Sequence, residues 1–336
     1  MTRTLLRPLV LLRDLTITAL VVLLALPVWL LPWRMAAAVG RGYGKAMGLA
    51  SPRRFRIGLI NISRAYGRTL PPLEMRRIVW ASMGSLGESL ADGLQFARRF
   101  RKGQTGVQAL YDCEDPGLEQ RVLGDPRPKI FVTGHLGSWE IAGAIAGARA
   151  GDRGAAVVRR IENVFLDALA RRLRMRHRDQ WLDKQGATAV ALARLRQGDS
   201  VALLLDENAG RRGAFVDFFG RKASTGRIAA LLSLNTGAPI VVGACVRRAS
   251  GKFLYRLALI EPSYPPTTAG VKATTQAIVA TLERWVRDDP DQWRWAHARW
   301  KTRPGGTDES YGRRDLAACL AAQPSAGVSA HQGTAA

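Results

Sequence analysis

Lys129-Ile130-Phe131-Val132-Thr133-Gly134-His135-Leu136-Gly137-Ser138-Trp139-Glu140 is the stretch on which the fold turns. A short apolar run stops at a glycine, which is the pattern of a buried strand rather than a helix face. The same pattern recurs downstream. Ala155–Val158, Ser200–Leu205, Pro239–Val246 and Phe253–Ile260 read as strands. Between and after them, Asn163–Met175, Thr188–Gln197, Arg227–Thr236 and Val271–Val286 read as helices. Strands alternating with helices predict an α/β domain whose central, mostly parallel sheet is flanked by helices. Such folds bind their ligands beyond the carboxyl ends of the strands.

His135 stands at such an end, in a turn with glycine on both sides. Glycines let backbone and substrate approach closely. An imidazole is the side chain best suited to proton transfer near neutral pH. Glu140, five residues on, does not share one face of a continuous helix with His135. It fits the first turn of a helix that starts near Gly137 or Ser138. From there its carboxylate would orient the ring and balance its charge. The plainer reading is a satisfied turn histidine followed by a first-turn acid that serves the helix dipole.

Upstream, the chain is basic. Residues 34–104 carry 14 Lys and Arg against 3 Asp and Glu, and the whole chain carries 50 against 27, a net charge of +23. The clusters Arg53/Arg54/Arg56, Arg76/Arg77 and Arg98/Arg99/Arg101/Lys102 alternate with apolar residues at helical spacing, as in Val79, Met83, Leu86 and Leu90. Any one cluster reads as a solvated helix face; together they favour docking on an anionic membrane surface. Ahead of them, Leu15–Trp33 is an uncharged run of 19 residues, just long enough to cross a hydrocarbon core. Pro27 and Pro32 weaken its far end, so it spans or lies in the interface. A cleaved signal peptide, with Ala36–Ala38 as the site, and a buried core helix are the rival readings. Charge on the flanks predicts a cytoplasmic body on the inner membrane, single-pass or monotopic. The organisation expected is an anchor over 1–34 and a domain over 35–304, with a basic helical part (35–127) and an α/β core (128–304). A Gly/Ala/Ser/Thr-rich disordered tail is expected over 305–336.

Several chemistries are disfavoured. Cys113, Cys245 and Cys319 are odd in number and far apart, which argues against a disulfide framework or a zinc ribbon. The four histidines lack metal-ligand spacing, so neither metal nor cofactor is expected. Ser138 and Ser224 lack the G-x-S-x-G elbow of a serine hydrolase. The basic runs are not interleaved with an aromatic stacking platform, so nucleic acid is not expected.

The sequence blocks resemble those of the bacterial lipid A late acyltransferases. Gly134–Glu140 is similar to their H-x4-[DE] block. Val157–Asn163 resembles a second block in which an Arg precedes an Asn by four residues, and Leu203–Asp206 a third. Gly213–Thr225 is similar to G-x-F-V-x-F-F-G-x-x-A-x-T, with Thr236–Val242 and Arg247 following. Trp293–Lys301 resembles the closing W-x-W-x-H-x-R-W block. The likeness runs over roughly residues 10–304. Glu207 and Arg160 depart from it, standing where Gln or His and Pro are usual.

The resemblance implies transfer of an acyl chain from acyl carrier protein, or acyl-CoA, to a hydroxyl of an anionic membrane glycolipid, a lipid A precursor. His135 would act as general base and Glu140 as its partner. Arg159 would bind phosphate or the oxyanion. Asn163, Asp206 and Thr225 would position substrate. Phe215, Phe218 and Phe219 would line the acyl pocket, with core packing as the alternative. Trp293, Trp295 and His297 are expected to brace the domain. Two other readings stay open: an acyltransferase of the same superfamily on another glycolipid, such as a phosphatidylinositol mannoside, and a non-catalytic basic protein that binds membrane or nucleic acid.

Overall fold

The computed structural model describes residues 2–100, 106–150, 153–158, 160–174, 181–183 and 186–321. Its centre is a seven-stranded sheet. The strands are β1 (Tyr111–Cys113), β2 (Ile130–Thr133), β3 (Gly154–Val158), β4 (Trp181–Asp183), β5 (Ser200–Leu204), β8 (Ile240–Arg247) and β9 (Phe253–Ile260), in the order β1-β9-β8-β2-β5-β3-β4. Only the β8–β9 pair is antiparallel; the other pairings are parallel. The mostly parallel α/β sheet expected from the strand–helix alternation is present. A separate hairpin, β6 (Ala214–Phe218) with β7 (Arg221–Thr225), lies outside the sheet.

Helices cover the sheet: α5 (Pro116–Gly124), α6 (Trp139–Ala150), α7 (Val164–Arg174), α8 (Ala187–Arg196), α9 (Ile228–Thr236) and α10 (Thr268–Asp288). Ile130, Val132, Val201, Leu203, Ile240 and Val242 are buried in one core with Ile278, Leu282 and Trp285 of α10. Phe131, Val241 and Tyr255 belong to a second core with Ile141 and Ile145 of α6. Because strand side chains alternate in direction, β2 and β8 each feed both.

Before the sheet come α1 (Thr2–Leu30), α2 (Trp33–Ala50), α3 (Pro52–Tyr66) and α4 (Pro72–Arg99). The expected apolar stripe on α4 is corrected in part. Val79 and Met83 are buried, but Leu90 is exposed. Small residues do the packing instead, because α2 and α4 meet backbone to backbone. A Cβ on Gly87 would lie 2.0 Å from the Gly40 carbonyl oxygen, and one on Gly44 2.1 Å from that of Met83. Apposed helices approach this closely only where side chains are missing.

Two expected boundaries also shift. β1 precedes residue 128 yet pairs with β9 at the sheet edge, so the basic helical part and the α/β core share one sheet. The expected disorder from 305 is wrong for its first part. Helix α11 (Arg313–Ala321) packs Leu316 and Leu320 against the main core, and Arg64 of α3 pairs with Glu309. Those few apolar residues suffice because α3 supplies a ready surface. Residues 322–336 lie outside the described residues.

Helix α1 takes up the predicted apolar run as far as Leu30; Leu31 and Pro32 break it, and Trp33 begins α2. Pro8–Leu30 is the one span among the described residues long and apolar enough to cross a membrane. Leu12, Leu15, Leu20, Leu23 and Leu30 face outward, whereas Asp14 and Val28 are buried against the body.

Candidate active site

The sheet register sets the site. Thr133 of β2 and Leu204 of β5 are partners in a parallel ladder, and the Leu205 N–H donates to the Thr133 carbonyl at 3.0 Å. His135 and Asp206 each lie two residues beyond that last pair. Two neighbouring strands therefore deliver an imidazole and a carboxylate to the same point of the carboxyl edge.

There they are bonded. His135 Nδ1 lies 2.8 Å from Asp206 Oδ1, and the His135 backbone N–H donates to Oδ2 at 2.6 Å. The Trp293 indole N–H donates to the same Oδ2 at 2.9 Å. Burial of the Asp206 carboxyl pushes its pKa up. The charge of the His135 ring and these three hydrogen bonds outweigh it and hold the group well below the usual carboxylate range. An ionised Asp206 accepts only, so Nδ1 carries a proton, and in the neutral form of the ring the lone pair falls on Nε2. The Trp139 ring stands 5.1 Å from the imidazole, tilted by 57°.

The turn is rigid. Gly137 has φ +60°, and a Cβ there would come 2.1 Å from the Cys245 carbonyl oxygen. That closeness lets the Ser138 N–H donate to Cys245 at 2.7 Å, while Gly137 donates to Gln292 at 3.0 Å. On the other side the Arg294 N–H donates to the His135 carbonyl at 3.1 Å. The end of β8 and the segment after α10 thus clamp the loop from two directions.

Glu140 lies in the first turn of α6, as expected. The role given to it is corrected: the carboxylate on the ring nitrogen is that of Asp206. A Cβ on Gly93 of α4 would meet the Glu140 side chain at 2.9 Å, which places that side chain on α4. The signal that finds Asp206 in the sequence is the equal offset of His and Asp beyond two apolar strands. Neighbourhood along the chain favours Glu140 instead.

Behind the pair is a dry aromatic wall. The Phe218 ring lies 5.4 Å from that of Trp293 and 5.7 Å from that of Trp300; Phe219 lies 4.9 Å from Phe218. A void of about 10 Å³ between Gly134, Asp206, Phe218, Val279 and Arg299 has room for one water at most. Phe218 and Phe219 therefore sit in the packed alternative rather than along a channel of acyl size; Phe215, three positions before Phe218 in β6, is half-buried. Arg299, fully buried, donates to the Ser224 carbonyl at 2.7 Å and to Thr225 Oγ1 at 2.6 Å. Burial lowers its pKa to about 10, with Asp206 acting to raise it. Thr225 is thus a brace under Arg299. His297 Nε2 accepts from the Asn208 N–H at 2.9 Å, and burial lowers its pKa to about 4, so the ring is neutral. The bracing expected of Trp293, Trp295 and His297 is what their contacts provide.

Asn163 is elsewhere employed. Its Oδ1 accepts from the N–H groups of Phe165 and Leu166, capping α7, and from Thr18 Oγ1 of α1. Its Nδ2 donates to the Asp14 carbonyl at 2.8 Å. All its bonds go to the α7 cap and the anchor helix. Arg159 lies outside the described residues. No group of three or more His, Cys, Asp or Glu suited to a metal occurs among the described residues.

Comparison with known proteins gives a consistent result. The family model described as bacterial lipid A biosynthesis acyltransferase matches residues 7–302. The chain is 25% identical over 286 residues to a lipid A biosynthesis lauroyltransferase of Escherichia coli K12, covering 84% of this chain and 90% of that protein. It is 27% identical over 209 residues to a lipid A biosynthesis palmitoleoyltransferase of the same organism, covering 61% of this chain and 66% of the relative. A Shigella flexneri lipid A biosynthesis acyltransferase matches to the same extent.

Proposed function

This chain belongs to the bacterial lipid A biosynthesis acyltransferase family, and from that premise we propose that His135 and Asp206 drive O-acylation of a lipid A precursor by an acyl thioester. Nε2 of His135 takes the proton from an acceptor hydroxyl as its oxygen attacks the thioester carbonyl. The C–O bond forms and the C–S bond breaks. The carrier thiolate leaves with the proton handed on by the imidazolium, so the ring returns to its starting state. Asp206 fixes the tautomer and balances the transient charge, the role the sequence pattern gave to Glu140. The donor is acyl carrier protein, whose acidic surface suits a chain of charge +23. The nucleophile belongs to the acceptor, so no acyl-enzyme is formed.

The family is membrane-associated, and α1 is the candidate segment for contact with lipid. We place the catalytic body on the cytoplasmic side of the inner membrane, since positive charge follows the apolar run far more than it precedes it. The observation that carries the chemistry is the 2.8 Å bond from His135 to a buried, ionised carboxylate at the sheet edge. Purified protein given radiolabelled acyl carrier protein and a tetra-acylated lipid A precursor is expected to yield a product with one more acyl chain. His135→Ala is expected to reduce this to background. Wild-type turnover in that variant removes His135 from the mechanism.

A further inference from the structure

Joined to the His135 turn through Arg294 is a cleft of about 370 Å³ lined by residues of α2, α3, α4 and the segment after α10. Its walls are of two kinds. Met47, Ile57 and Leu86 give apolar surface; Arg53, Arg54 and Arg294 give three guanidiniums from two separate parts of the chain. Arg294 is the residue whose N–H holds the His135 carbonyl, so the cleft abuts the catalytic turn. Its side chain is shared with Glu207 Oε1 at 3.2 Å. Arg53 and Arg54 have no carboxylate partner among the described residues.

Their position works against the fold. They occupy the first turn of α3, which has no acidic residue, and Ser51 makes no side-chain cap there. The positive end of a helix dipole disfavours cations and favours anions. Two arginines gathered at that end, beside an apolar floor, are unfavourable to the free chain and favourable once an anion arrives. Guanidiniums match phosphate oxygens in pairs, and the apolar wall suits a ligand with a hydrocarbon part.

We infer that this cleft binds a phosphate group of the glycolipid acceptor and so sets which hydroxyl reaches His135. The inference rests on the acyltransferase reading above. A phosphorylated lipid fits better than the carrier protein, because the arginines share the cleft with Met47, Ile57 and Leu86 rather than lying on an open polar face.

The test uses the full chain and the double variant Arg53→Ala/Arg54→Ala, both positions being exposed on the helix. Binding of a tetra-acylated, phosphorylated lipid A precursor in detergent micelles is followed by tryptophan fluorescence, beside the same lipid after phosphatase treatment. Wild type is expected to prefer the phosphorylated lipid about tenfold or more, and the variant to lose that preference. In turnover, KM for the phosphorylated acceptor is expected to rise about tenfold with little change in kcat, and Arg53→Lys/Arg54→Lys to recover part of the loss. Equal binding of both lipids by wild type overturns the proposal. So does a variant whose KM rises for acyl carrier protein instead, or an effect reproduced by inorganic phosphate alone with no gain from the lipid. A wild type that binds the phosphorylated lipid selectively but transfers no acyl chain leaves the cleft in place and removes the acyltransferase reading.

Discussion

His135 is joined to two unlike regions, one through Asp206 and the other through Arg294. Behind it, charges are buried and answered. Asp206 receives three hydrogen bonds, and Arg299 gives its protons to carbonyls and to Thr225. At the front, in the cleft reached through Arg294, Arg53 and Arg54 meet no carboxylate among the described residues. The rear wall is finished before any substrate arrives, since burying an unanswered charge costs several kcal/mol. The front wall is left incomplete in water, where an unanswered arginine costs little. Under the proposed reaction, orientation of the proton acceptor and recognition of the substrate fall to these two separate regions.

The strongest way to break this contrast is to take the charge out of the rear wall. Asp206→Asn is expected to lower kcat about a thousandfold, on the order of 4 kcal/mol in the barrier, because the amide no longer balances the imidazolium. Glu140→Gln is expected to cost far less. Equal losses in the two variants, measured by acyl transfer with the fold checked by circular dichroism, would return Glu140 to the role the sequence pattern gave it. Next in size is the support under the front wall. Gly87→Val drives a side chain into the Gly40 carbonyl and is expected to destabilise the chain by about 3 kcal/mol or more, read as a lower Tm.

A smaller effect sharpens the rear wall through pH. His297 takes up a proton near pH 4 when folded and near its ordinary 6.5 when unfolded. Between those values the unfolded chain binds more protons, so this group makes stability fall as pH drops from about 6.5 to 4, by on the order of 1–3 kcal/mol. Asp92 has the opposite sign. Burial raises its pKa from 3.8 to about 6 despite its pairing with Arg247, so the folded chain holds the extra proton and gains stability as pH falls through 6. The His297→Gln variant isolates the first contribution: relative to wild type, its denaturation midpoint should move toward greater stability as pH falls from about 6.5 to 4. The smallest expected effect is that of Trp293→Phe, which removes one of three donors to Asp206 and is expected to lower kcat about five- to tenfold.

Much of the rear wall was legible in the sequence, and its key pairing was not. The apolar runs at 130–133 and 200–204 announce strands, and glycine after the first announces an exposed turn. Which strands lie side by side is not written in periodicity. β2 is flanked by β5 and β8, both far away along the chain, so proximity in sequence pointed to Glu140 while proximity in space belongs to Asp206. The edge strands β1 and β4 have three residues each, too few for an alternating pattern to register. On α4 the apolar stripe misled at Leu90, because the interface with α2 is made by absent side chains, which a hydrophobicity pattern scores as nothing. The resemblance implies a substrate contact at Asn163; its bonds to Asp14 and Thr18 depend on where α1 lies, which no local pattern tells.

Those two bonds have a consequence for reach. Asn163 ties the start of α7 to α1 at Asp14 and Thr18, and Gln95 of α4 donates to the Leu31 carbonyl at its other end at 3.1 Å. The N-terminal rod is bolted on at two heights rather than hung from a leash. Wherever lipid meets α1, these bonds fix the height at which the His135 imidazole stands relative to that lipid. Under the proposed reaction, a hydroxyl carried too deep or too shallow on its glycolipid would stay out of range however abundant it is.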